Sequence, residues 1–144
     1  MRARVPGLLF VVLTLVALAT PVHADPGYRV IVNTSNPVIT VERRFLADLF
    51  LKKVTRWPSG GGARPVDQPA ESSVRRRFCD EVIGRPLDAV RSYWQQQVFS
   101  GRDVPPPELD GDDEVVRYVL KYPGAVGYVS TAADVRGVRV LGVR

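Results

Sequence analysis

Ser72-Ser73-Val74-Arg75-Arg76-Arg77 sets two hydroxyls and three guanidinium groups at the head of a segment whose apolar positions are Val74, Phe78 and Val82. Hydroxyls beside the first N–H groups of a helix can hold an anion without a metal. Those amides have no intrahelical acceptor, and the helix dipole is positive at that end. The candidate site is therefore Ser72, Ser73, Val74 and Arg75. The Ser72 hydroxyl and the amides of Ser73 and Val74 would face an oxyanion, with Arg75 as the nearest mobile cation. A plainer reading stands beside it. Ser72 can cap the helix, a contribution of about 1 kcal/mol, and the arginines can form a solvated basic face. Glu71 fits the cap, because its charge suits a helix start and opposes an anion.

Other chemistry is scarce in this chain. Its single histidine is His23, and its single cysteine is Cys79. Arg2 and Arg4 precede an apolar run from Leu8 to Ala19, and Val22-His23-Ala24 offers small residues at a cleavage site. Residues 1–24 thus read as a secretory signal, too short to cross a bilayer comfortably, and no later run is apolar enough to anchor the chain. The expectation is a protein of the periplasm or exterior, with no membrane span after cleavage. The remaining residues hold 18 basic and 15 acidic side chains and no histidine. Histidine-dependent triads are then impossible, and the commonest zinc ligand is missing. No internal disulfide can form, so packing must supply the stability.

The remaining motifs have simple readings. Gly60-Gly61-Gly62 lacks the Gly-Lys-Ser/Thr of a phosphate loop and reads as a turn. Asp110-Gly-Asp-Asp-Glu114 resembles a calcium loop only faintly, since Lys121 stands where the bidentate glutamate belongs; the acids suit a helix start. Cys79, beside Phe78, reads as an inert core thiol, with a surface thiol as the alternative. Tyr93, Gln95 to Gln97 and Pro105 to Pro107 could present a partner surface. A modest positive charge with aromatics at core spacing is no footprint for nucleic acid. No cofactor is indicated.

These residues need elements to position them. Tyr28–Asn33 reads as a strand, and Thr40 as the N-cap of a helix bearing Phe45, Leu46, Leu49 and Phe50, over by Trp57-Pro58. A short strand around Pro65 to Asp67 leads into a helix from Ser73 to Ile83 that stops at Gly84. Pro86 opens a third helix with Leu87, Val90, Trp94 and Val98 on one face. Asp112 and Asp113 start a fourth, with Val115, Val116, Val119 and Leu120 inward. Strands follow at 126–130 and 138–143. Alternating strands and helices imply one α/β domain with a mainly parallel sheet.

Val30-Ile-Val-Asn33-Thr-Ser-Asn36-Pro37 followed by Phe50-Leu-Lys-Lys53-Val-Thr-Arg-Trp57-Pro-Ser-Gly60 resembles the phosphate-binding periplasmic proteins of ABC import systems. The order of Arg75 to Phe78, Trp94, Phe99-Ser-Gly101 and Tyr122-Pro-Gly-Ala-Val-Gly127-Tyr-Val-Ser130 is similar as well. The resemblance implies a type 2 periplasmic-binding fold, here as residues 25–144 forming one three-layer lobe with about four helices. It also implies phosphate or a related oxyanion as ligand, and an ABC permease or another exported or membrane protein as partner. At residues 68–74 the family carries an arginine and then Gly-Ser-Gly-Thr. Here Gln68 replaces the arginine, Ser72 matches the serine, Glu71 and Ser73 replace the glycines, and Val74 replaces the threonine. Two functions follow. One is a weak oxyanion-binding protein; the other is a single-lobe interaction module that kept the scaffold without its ligand. Intact mass of the exported protein is expected to show cleavage after Ala24, and a retained N-terminus would restore His23 and remove the case for export.

Overall fold

The computed structural model describes residues 27–144, so the expected signal segment lies outside the described residues. Strand β1 (Tyr28–Asn33) is followed by β2 (Thr40–Val41), helix α1 (Arg43–Phe50) and β3 (Arg64–Pro65). Helix α2 (Ser73–Phe78) continues as a π-helical turn, Cys79–Ile83, before α3 (Leu87–Phe99) and α4 (Asp112–Lys121). Strands β4 (Ala125–Ser130), β5 (Val138–Val140) and β6 (Gly142–Val143) complete the chain.

The main sheet has the order β3-β4-β1-β5, and β2 pairs with β6 in a separate ribbon. Parallel pairing joins β3 to β4 and β2 to β6, while β1 runs antiparallel to both of its neighbours. The parallel expectation therefore holds where a helical crossover separates two strands, as between β3 and β4. It does not extend to β1, which precedes every helix and is flanked by two strands returning in the opposite direction.

Side-chain alternation along β1 and β4 explains the layers. Val30, Val32, Val126 and Tyr128 pack with Leu46, Leu49 and Phe50 of α1 and with Phe78 and Val82. Ile31, Ala125 and Val129 lie with Val115, Val116 and Val119 of α4. Helices thus cover both faces, which is why the centre of β1, Val30 to Val32, is apolar on both sides. Gly127 allows α4 to come close: a Cβ there would lie 2.5 Å from Val115 Cγ1. Helix α3 sits outside this sandwich, burying Val90 and Trp94 against Leu51 and Cys79. Burial pushes the Cys79 thiol up to about 11, so it stays protonated near neutrality.

Three local expectations change. Thr40 belongs to β2 rather than capping α1, whose N-cap is Glu42 without a side-chain bond. Helix α1 is over before Trp57-Pro58 as expected, ending at Phe50 with Lys52 at φ 53. Val98 and Leu120 were expected inside, yet 51% and 46% of their surface is exposed, because each helix buries a narrower stripe than its periodicity suggests. The 138–143 segment is divided at Leu141 into β5 and β6, which join different sheets. Both tryptophans are buried, and Trp57 Nε1 donates to the Gly124 carbonyl at 3.0 Å. Replacing Trp94 by Ala is expected to cost about 3 kcal/mol in denaturant unfolding; a midpoint like the wild type's would show that α3 contributes little to the core.

Candidate functional site

The site region grows from the carboxyl end of β3. In open α/β sheets this is where ligands gather, because loops there converge on helix N-termini. Pro65 and Val66 are buried in the apolar interior, and the chain then delivers Asp67 and Gln68, also buried, before turning into α2. Buried polar groups must find partners. The Tyr128 hydroxyl donates to Asp67 Oδ1 in a short bond and accepts from the Gln68 backbone N–H at 3.2 Å. Gln68 Nε2 donates to the Tyr128 carbonyl at 3.0 Å and to Asp112 Oδ1 at 3.1 Å. Asp112 in turn accepts from the Ser130 amide and hydroxyl.

Ser72 is the N-cap of α2, as the sequence allowed. Its Oγ accepts from the Arg75 amide at 3.2 Å and donates to Gln68 Oε1 at 2.8 Å. The single hydroxyl proton is therefore already engaged. Ser73 is exposed and Val74 half-buried, both in the first turn, where backbone N–H groups lack helical acceptors.

Arg75 is the main correction to the sequence reading. It is neither mobile nor on a solvated face: only 3% of its surface is exposed. Its Nη1 donates to the Gln68 carbonyl at 2.7 Å and to Glu108 at 2.6 Å, while Nη2 lies 3.6 Å from Asp67. The cause is Asp67, whose buried carboxylate draws the only guanidinium on the inward side of α2. Arg76 and Arg77 remain exposed. Burial by itself would lower the Arg75 value, yet Asp67 and Glu108 outweigh it and raise the value. Burial pushes the Asp67 carboxyl above the usual aspartate range, against the pull of Arg75 and Tyr128 toward the carboxylate.

The mouth of α2 opens as a shallow hollow lined by Gln68, Pro69, Glu71, Ser72, Asp110 and Gly111. Two acids thus flank the candidate anion position, and the nearest arginine is held inward. What the mouth retains is the first-turn amides of Ser73 and Val74 and the helix dipole. Asp112, Asp113 and Glu114 are the acids of the first turn of α4, as the helix-start reading required. Sequence reasoning missed Asp67, Glu108 and Tyr128 as partners of the site. The available signal was an aspartate directly continuing a buried apolar strand.

The comparisons complete the picture. No protein-family model matches the sequence, and no curated protein matches it. Solved structures do. A chain assigned as the substrate-binding protein of a phosphate ABC transporter in Clostridium perfringens, with bound phosphate, aligns with a TM-score of 0.64 at 22% identity. The match covers 81% of this chain and 44% of that one. An ABC-type phosphate transport receptor from Vibrio cholerae gives 0.63 at 20% identity, over 81% of this chain and 46% of the other. PstS from Borrelia burgdorferi gives 0.64 at 12%, over 82% and 47%. This chain spans less than half the length of each.

Arg75→Met should leave Asp67 as an uncompensated buried charge, costing about 3–5 kcal/mol at neutral pH. Without that cation the folded-state carboxyl rises further above its unfolded value of about 3.9. The variant should then be most stable below that value and lose stability as pH rises through the interval toward the folded value. Denaturant midpoints across about pH 4 to 7 test this; a profile parallel to wild type would mean that Arg75 does not hold Asp67. The fold of this chain matches one lobe of the periplasmic-binding-protein fold seen in these solved structures.

Proposed function

We propose that the chain is an exported solute-binding protein-like domain for phosphate or a similar oxyanion, serving ABC-type phosphate uptake or sensing. The observation that supports this is the shared fold, matched over 81% of the chain to a protein solved with bound phosphate. The anion would sit at the mouth of α2, on the amides of Ser73 and Val74, with Ser72 holding the turn in shape. Its role is binding rather than catalysis. An ABC permease or another exported or membrane protein is the partner such a lobe would meet. Among the described residues no helix is long and apolar enough to cross a membrane.

Affinity should be modest. Arg75 has its charge engaged by Asp67 and Glu108, and Glu71 and Asp110 flank the mouth. A dissociation constant no tighter than roughly micromolar to millimolar follows, about −4 to −8 kcal/mol. The same facts favour a second reading, an interaction module without a small ligand. Calorimetry against phosphate, sulfate and acetate separates the two. Under the first reading phosphate gives heat, Ser72→Ala weakens binding, and Glu71→Gly strengthens it. Absence of heat with every oxyanion, unchanged in Glu71→Gly, would leave the interaction module.

A further inference from the structure

Away from the α2 mouth, one face of α1 and the π-helical turn enclose an open depression of about 480 Å³. Four cations line it, Arg43, Arg44, Lys53 and Arg85, against one carboxylate, Asp48. All four are exposed, and none has an ion-pair partner among the described residues. Glu42, the acid next in sequence to Arg43, is turned to Arg144 at 2.9 Å. Leu51, Val82 and Ile83 contribute apolar surface to the same depression.

Two features of the backbone oppose local preference here. Arg43 and Arg44 occupy the first turn of α1, which holds no acid, although the helix dipole disfavours cations at that end. The chain also takes a π-helical turn over Cys79–Ile83, a rare geometry that recurs at functional sites. That turn brings Val82 and Ile83 to the depression, and Gly84, at φ 72, redirects the chain so that Arg85 reaches the rim. Guanidinium groups pair with phosphate oxygens two at a time, and the volume lies within the range of about 300–1,000 Å³ usual for small-ligand sites.

We propose that this depression binds a phosphate-bearing amphiphile, its phosphate on Arg43, Arg44 and Arg85 and its apolar body against Leu51, Val82 and Ile83. The phosphate can belong to a lipid headgroup or to a dissolved phosphate ester. The site shares no residue with the α2 mouth, so either can fail without the other.

The test titrates the purified protein with short-chain phosphatidylglycerol below its micelle concentration, with inorganic phosphate, and with vesicles of phosphatidylcholine alone or mixed with phosphatidylglycerol. The short-chain lipid should bind, and Arg43→Gln/Arg44→Gln/Arg85→Gln should weaken it at least about tenfold, since each basic residue near an anionic surface contributes comparably. Asp48→Asn should strengthen it. Arg102→Gln/Arg117→Gln/Lys121→Gln, with the same change in net charge elsewhere, should alter it less than about twofold. Denaturation midpoints of both triple variants check that they fold, and Lys53→Gln alone should weaken binding in the same direction. Sedimentation with the anionic vesicles identifies a headgroup; retention of the short-chain lipid without sedimentation identifies a dissolved ester. Failure of the short-chain lipid to bind, equal loss in the two triple variants, or no loss in the site variant would overturn the proposal.

Discussion

Tyr128 belongs to two environments at once, and the arrangement of the lobe follows from that. Its ring stacks on Phe78 at 4.1 Å between centroids and also meets Phe50, at the centre of the apolar layer. Its hydroxyl reaches Asp67 and the Gln68 amide, where polar groups would otherwise be buried without partners. Losing either side has a cost: a cavity in the core, or an unsatisfied carboxylate in a dry setting. Burial and the Asp67 charge push the hydroxyl up, so it remains a donor. Asp67 then fixes Arg75, and Arg75 fixes Glu108 on the connection to α4. One aromatic side chain thus ties β3, α2, β4 and the proline-rich connection into a unit.

The same network decides what α2 can offer a ligand. A helix start with a serine cap and arginines nearby suggests anion binding, but charge counts only where it is free. Asp67 and Glu108 neutralise Arg75 within the fold, and the acids Glu71 and Asp110 remain at the rim. Positive charge gathers instead at the depression beside α1 and Arg85, where Asp48 is the one carboxylate in the lining. The surface is therefore divided between an acid-flanked mouth and a basic hollow, an asymmetry that net charge alone conceals.

The sequence by itself determined the elements. Periodicity located all four helices, with Gly84 and Pro86 marking the break between the second and third because a left-handed residue and a fixed φ end and start helices locally. It placed Trp94 and Cys79 inside, and it identified Ser72 as a cap. These are short-range matters of backbone preference and solvent avoidance, written in neighbouring residues. Tertiary structure decided the rest. The antiparallel setting of β1 depends on strands about a hundred residues away, and Thr40 joined β2 because β6 was there to pair with it. Arg75 looks like its two neighbours in sequence, yet it alone is buried, since only the fold brings Asp67 and Glu108 to it. Charge pairing acts through space over a few ångströms, and no spacing along the chain records which partner folding will supply.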